Sequence, residues 1–238
     1  MDNDKTIDGR EFAAQMKHMP IALTKEEFGK LITTRIENIT EEFTRGFEFL
    51  RGLERTVTFF GSARLPEDND HYKTAQELAG KISKYGIGVI TGGGPGIMEA
   101  ANRGAFESSG YSLGLNIKLP MEQSENPYLN ESITFSYFFV RKVLLAYAAE
   151  AYIFFPGGFG TLDELFEVMT LVQTRKMEKV PIILVGKSHW EKLDDFIRKE
   201  IYGRHEMINK EDMDLYTITD DLDQVVDIVR HSPIRSQH

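Results

Sequence analysis

Residues 151–164 read Ala151-Tyr152-Ile153-Phe154-Phe155-Pro156-Gly157-Gly158-Phe159-Gly160-Thr161-Leu162-Asp163-Glu164. Five apolar residues without alternation predict a strand buried on both faces, as in a parallel sheet covered by helices. The proline and glycines end that strand, and a helix is expected after Thr161. Strand, glycine turn and helix N-terminus in succession are the repeating unit of α/β sheets, and ligands collect at the carboxyl ends of such strands.

Working outward, the same pattern recurs. Residues 57–60 form an apolar run ending at Gly61-Ser62, and 88–90 a second run entering Thr91-Gly92-Gly93-Gly94. Pro95 then stands where a first helical residue is expected, ahead of a helix through Met98, Ala101 and Ala105 that closes near Gly110. Strands are also expected at 113–117, 133–135, 181–185 and 215–218. Between them, Ala75, Leu78, Ala79 and Ile82 mark one helix and Trp190, Leu193, Phe196, Ile197 and Ile201 another; residues 138–149 and 221–230 read as two more. Ahead of this core, Phe28, Leu31, Ile32, Ile36, Ile39, Phe43, Phe47 and Leu50 fall at helical spacing. Thr24 and Glu27 make a capping-box pattern at the start of that helix, expected over 25–51. The fold class is therefore α/β, a three-layer sandwich with a mainly parallel sheet, plus an N-terminal helical extension. The division reads as an arm and amphipathic helix over 1–53, a nucleotide-binding catalytic domain over 54–232 and a tail over 233–238.

Composition narrows the function. The chain has 238 residues, 41% hydrophobic and 27% charged, which supplies a sizeable core and excludes a mainly disordered chain. A net charge of −9 argues against a broad nucleic-acid surface, which needs clustered Lys and Arg. It leaves room for a small anion at one local site. With no cysteine there are no disulfides, thiolate metal sites or cysteine nucleophiles. The six histidines are scattered, without the i, i+4 pairing of a helical zinc site, and no metal is expected. A polar start without an apolar h-region, and the lack of any long apolar run, point to the cytoplasm, away from a membrane.

Three strands ending in glycine turns suit a nucleotide or a sugar phosphate, because glycine lets backbone N–H groups approach and the following helix end is electropositive. Gly61, Ser62, Gly93, Gly94, Gly157, Gly158, Gly160 and Thr161 are the candidate cradle. Gly186-Lys187-Ser188 resembles the end of a P-loop, but Pro181 occupies the required upstream glycine position. The dinucleotide fingerprint fails at Glu99, and Asn116 stands where a ribose-binding acid is expected. No cofactor is expected. Glu164 has two readings, a catalytic carboxylate or the second half of a Thr161-x-x-Glu164 capping box. Arg141 sits among Phe138, Phe139, Val140, Val143, Leu144 and Leu145, so it needs either an anionic ligand or an ion-pair partner such as Glu150. Lys142 points to another face, toward the rim. Glu99 either complements its helix dipole or lines the pocket, and Asn102 and Arg103 are secondary candidates.

The segment 156–164 fits the PGGxGTxxE signature of the Lonely Guy family, the cytokinin riboside 5′-monophosphate phosphoribohydrolases and related nucleotide nucleosidases. Gly92-Gly93-Gly94-Pro95-Gly96-Ile97-Met98 resembles its triple-glycine loop and Arg141-Lys142 its Arg-Lys pair. The resemblance spans roughly residues 55–230. It implies a Rossmann-like fold, a homodimer, and hydrolysis of the N-glycosidic bond of a nucleoside 5′-monophosphate, AMP or an N6-modified AMP. Carried over by position, Arg141 and Glu164 are the catalytic pair and Gly157, Gly158, Gly160 and Thr161 hold the phosphate. A second carboxylate, Glu99 or Asp163, is an open choice. The label "lysine decarboxylase" attached to many members has no support in these residues, which show no distinctive pyridoxal-lysine motif. About 50 additional N-terminal residues set the chain apart from the short plant-type members. The competing reading is a non-catalytic carrier of a phosphorylated nucleotide-like cofactor, similar to molybdenum-cofactor carriers.

Overall fold

The computed structural model describes residues 24–119 and 125–234. The expected arm over 1–23 and most of the tail lie outside the described residues. Two compact units are present, one ending at Glu41 and one beginning at Glu42. In the first, helix α1 (Lys25–Leu50) opens on the expected capping box. The Glu27 carboxylate accepts from the Thr24 N–H at 2.9 Å and from its hydroxyl at 2.8 Å, and the Glu27 N–H donates to Thr24 Oγ1 at 3.2 Å. The last turns of α1 belong to the second unit, so the two compact units divide within this helix.

The second unit alternates strand and helix: β1 (Thr56–Phe60), α2 (Asp70–Ser83), β2 (Gly88–Thr91), α3 (Ile97–Glu107), β3 (Ser112–Ile117), β4 (Glu131–Phe135), α4 (Phe138–Tyr147), β5 (Ala151–Phe154), α5 (Phe159–Gln173), β6 (Ile182–Leu184), α6 (Lys187–Phe196), β7 (Thr217–Ile218) and α7 (Leu222–Arg230). The strands form one seven-stranded sheet in the order β4-β3-β2-β1-β5-β6-β7. Every pairing is parallel, so the sheet is wholly and not just mainly so. The central strands are buried along their whole length, as their unbroken apolar runs require. Val57, Phe59, Val89, Ile153 and Ile183 face one side and pack on α2, α3 and α7 through Leu78, Ile82, Ile97, Ala101, Val225 and Val229. Right-handed crossovers put the helices of the β5-β6 half on the opposite side.

The chain leaves β1 toward β2, β3 and β4, then returns to the other side of β1 as β5. The strand order therefore reverses between β1 and β5, and their carboxyl ends splay into a crevice. Gly61-Ser62 and Pro156-Gly157-Gly158 follow these two strands, and the Ser62 N–H donates to Pro156 O at 3.0 Å.

Several boundaries differ from the sequence reading. Helix α3 begins at Ile97 with Gly96 as N-cap, so Pro95 precedes the helix. The Ile97 N–H that would fall in a Pro-led first turn donates instead to Ser62 O at 3.0 Å. Helix α5 begins at Phe159, ahead of Thr161, because Leu162 already bonds Gly158 O at 3.0 Å. The helix expected through Ile201 changes to π geometry over Ile197–Arg204, and the last strand shrinks to two residues after a 3₁₀ turn at Lys210–Asp214.

Candidate active site

A cleft of about 780 Å³ opens at the carboxyl ends of β1, β2, β3 and β5. That volume is in the range of pockets that enclose a small organic ligand. The cleft draws together Gly61, Ser62, Gly93, Gly94, Arg141, Gly158, Gly160, Thr161 and Glu164, residues from four separate stretches of sequence. Three of the expected site residues stand outside its lining. Gly157 lies behind Thr161, where a Cβ would meet Thr161 Oγ1 at 2.1 Å. Glu99 accepts a hydrogen bond from Tyr72 Oη at 3.0 Å. Lys142 bridges α4 to α5, its ammonium 2.6 Å from Asp163 and 3.1 Å from Glu167.

The α5 end of the cleft is an uncapped helix N-terminus. Gly158 is the N-cap, no side chain caps the helix, and its first turn carries no acidic residue. The N–H groups of Phe159, Gly160 and Thr161 therefore have no intrahelical acceptor, and they lie at the positive end of a 15-residue helix. Phe159, the first helical residue, lines the cleft and is 93% exposed.

The opposite wall is the Gly92-Gly93-Gly94 loop. Its shape comes from a buried amide network. Asn126 donates its backbone N–H to Gly93 O at 2.9 Å and its side-chain amide to Gly94 O at 3.1 Å. That amide also bonds Asn102 Oδ1 at 3.0 Å, while Thr91 Oγ1 receives the Gly93 N–H at 2.9 Å. Asn102 is thus a strut beneath the loop. Gly93 has φ +70°, and a Cβ there would stand 1.6 Å from Asn116 Oδ1, so only glycine fits. Asn116 lines the cleft, and its buried Nδ2 has no protein partner.

Arg141 reaches the cleft from α4. Its Nε donates to Leu115 O at 2.7 Å, and Nη2 lies 3.5 Å from Gly92 O. The ion pair considered with Glu150 is not formed; Glu150 instead accepts from the Thr56 N–H at 2.9 Å. Burial pulls the Arg141 guanidinium below its usual range, and the charge of Glu164 opposes that shift. A guanidinium stays protonated well beyond neutral pH, so Arg141 is a partly buried cation bonded to carbonyls and not to a carboxylate.

Glu164 is 6% exposed, and its Oε2 has no hydrogen-bond partner. The capping-box reading fails, because the N-cap is Gly158 and Thr161 is already inside the helix. Burial raises the carboxyl to about 7, helped by the charges of Glu167 and Asp163; Lys142 and Arg141 pull the other way. Asp163 also lines the cleft, but its carboxylate is held by Lys142.

Sequence reasoning missed Asn126, Asn116, Phe138 and Phe159 as parts of the site. Asn116 was visible as the residue standing where an acid was expected. Phe159 was visible as the variable position of the glycine turn. Asn126 had no signal, since the loop groups and the amide it holds are 24 and more positions away.

A family model described as "Possible lysine decarboxylase" matches residues 98–229, more than half of the chain. The chain belongs to the Lonely Guy family. Among its relatives, the rice protein named probable cytokinin riboside 5′-monophosphate phosphoribohydrolase LOGL5 is 32% identical over 154 residues, 63% of this chain and 61% of that protein. The Arabidopsis thaliana protein named cytokinin riboside 5′-monophosphate phosphoribohydrolase LOG2 is 28% identical over 63% of this chain and 70% of its own. The pyrimidine/purine nucleotide 5′-monophosphate nucleosidase of Escherichia coli K12 is 26% identical over 55% of this chain, but the match covers only 32% of that protein. Among solved structures, the molybdenum cofactor binding protein of Rippkaea orientalis superposes with a TM-score of 0.57 at 18% identity, over 75% of this chain and 97% of its own. At that identity the likeness establishes the shared Rossmann-like fold. For this Lonely Guy member, among the described residues, no cluster of His, Asp or Glu has the makings of a metal site, and no helix is long and apolar enough to cross a membrane.

Proposed function

We propose that the protein hydrolyses the N-glycosidic bond of a nucleoside 5′-monophosphate, AMP or an N6-modified AMP, to the free base and ribose 5-phosphate. The observation that carries this reading is Glu164, a buried carboxylate with one unpartnered oxygen, facing a cleft that also holds a cation and an open helix end. Buried polar atoms are nearly always bonded, so an orphan beside a perturbed carboxyl in a cleft marks a functional group. In this reading the 5′-phosphate takes the α5 N–H groups and Thr161, which needs no bulk positive charge. As the C1′–N bond lengthens, positive charge develops on the ribose, and the Glu164 carboxylate stabilises it. Water adds to C1′ and gives its proton to Glu164. The departing base keeps the bonding pair and takes up a proton, leaving a hydroxyl on C1′. Arg141 orients the nucleotide on the β2-β3 side.

The direct test is a panel of nucleoside monophosphates assayed for ribose 5-phosphate. No product from any of them removes the reading. A pH profile adds a finer check. A general base near 7 is active as the carboxylate, so kcat/KM should rise through about pH 7 and level off above it. The substrate phosphate ionises at about 6 and contributes its own, separable limb. Because the Glu167 charge raises the Glu164 carboxyl, Glu167→Gln should move the Glu164 limb to lower pH; an unmoved or upward-shifted limb excludes that assignment.

The homodimer implied by the family has a candidate surface. Phe139, Val143 and Tyr147 of α4 and Phe166 of α5 are exposed. Large exposed apolar side chains on neighbouring helices mark an association face. Sedimentation equilibrium should return twice the chain mass for the native protein and the single-chain mass for Val143→Asp. A native monomer argues against the dimer.

A further inference from the structure

The helix that presents Arg141 has no cap of its own. Tyr137 is the N-cap of α4, its side chain makes no capping hydrogen bond, and the first turn contains no acid. A helix start with unpaired N–H groups is weakly fixed, and its electropositive end favours an anion. That anion comes from α1. Glu42 is 9% exposed; its Oε1 accepts from the Ser136 N–H at 2.7 Å and its Oε2 from the Tyr137 N–H at 3.2 Å. The Tyr137 carbonyl in turn receives the Arg141 N–H at 3.2 Å, closing the first turn. Glu42 therefore stands one peptide away from the backbone of Arg141.

Three further contacts fasten the same stretch of α1. Arg45 Nη2 donates to Thr134 O at 3.3 Å. Gly46 admits Leu144, whose Cδ1 lies 2.2 Å from where a Cβ would stand, so the two helices approach backbone to side chain. Phe47 meets Tyr147 edge-on with ring centres 5.0 Å apart. Of these contacts, only the Glu42 carboxylate supplies something that α4 lacks.

We propose that Glu42 is a positioning residue for Arg141, a cap supplied in trans by the extension helix that fixes the entry of α4 and so the placement of the guanidinium on Leu115 O. This rests on the role given to Arg141 above. It also gives the last turns of the extension a purpose beside the cleft.

The test uses the full chain labelled with ¹⁵N. Arg141 Nε–H, held on Leu115 O at 2.7 Å, should give a protected resonance, assigned by its loss in Arg141→Lys. In Glu42→Ala that resonance should shift or broaden beyond detection, with kcat/KM about tenfold lower. Glu42→Gln keeps one acceptor oxygen and should fall between, and it carries the test if the alanine variant does not fold. A lowered Tm with the Arg141 resonance unmoved overturns the proposal, since Glu42 is then only structural. A displaced resonance with native kcat/KM overturns it as well. If the native protein cleaves no nucleotide, the hydrolase reading fails separately, and the resonance still decides whether Glu42 positions Arg141.

Discussion

Glu164→Gln is expected to lower kcat for nucleoside monophosphate cleavage by about a thousandfold, within the usual range for removing a general base that also stabilises charge. The amide is nearly isosteric, so the cleft keeps its shape and nucleotide binding should change little. Stability should move the other way. The carboxyl is raised from 4.5 to about 7 by burial, so the folded chain holds a proton there that the unfolded chain has released. A raised acid favours folding fully below the unfolded value, loses that benefit as pH climbs from about 4.5 to 7, and costs most above 7. The amide carries no such penalty. The Tm of Glu164→Gln should therefore match the native Tm near pH 4 and exceed it at pH 8, by an amount worth up to about 3 kcal/mol. Kinetics at saturating substrate and thermal melts at the two pH values check both halves. A variant with native turnover removes Glu164 from the chemistry. A variant less stable at pH 8 shows that the carboxylate is a structural partner.

The opposed signs matter because they separate a functional group from a packing residue. A core carboxylate kept for stability is bonded, and replacing it costs stability. Glu164 instead leaves an oxygen unpaired at the mouth of a helix that it does not cap. The sequence could be read either way at this position. What decides it is where α5 begins, and that depends on the geometry after β5, which residue spacing does not encode. A helix starting after Thr161 would have made Thr161 and Glu164 a capping box. Starting at Phe159, it leaves Thr161 and Glu164 to face the cleft.

The rest of the molecule divides along the same line. The parallel sheet was legible because burial on both faces writes itself as continuous apolar runs at 57–60 and 151–155. Its strand order was not, because order follows from crossovers of a dozen residues or more. The glycine turns were legible as turns, but their supports were not. Asn126 lies beyond β3 and still shapes the loop after β2, through two carbonyls and the Asn102 amide. Glu42, in a helix that reads as amphipathic, bonds the backbone just ahead of a helix nearly a hundred positions away. Local spacing cannot report contacts of that separation, and the polar groups that set the site are mostly of that kind.

Arg141→Ala is expected to lower kcat/KM about a hundredfold or more, while the chain stays folded with a Tm near the native value. The guanidinium is a partly buried cation whose firm bond, Nε to Leu115 O, uses one of five donors. Its second contact, at 3.5 Å to Gly92 O, is long. The remaining donors have no carboxylate, so the charge is carried at a desolvation cost that the free protein does not recover. Removing it frees two carbonyls at the edge of a cleft that water can fill. Arg141→Lys should not restore the rate. A lysine ammonium is a point charge without the Nε–H that aims the fork, and it loses the Leu115 anchor. The kinetic split then assigns the group. If Arg141 holds the phosphate equally in ground and transition states, KM rises and kcat is kept; if it serves the departing base, kcat falls with KM unchanged. The second outcome is expected, because Arg141 stands on the β2-β3 side of the cleft, whereas the open helix end that suits the phosphate belongs to α5 after β5. Retention of more than a tenth of the native kcat/KM in Arg141→Ala would mean that the helix end and Glu164 suffice, with the Arg141 cation outside the reaction.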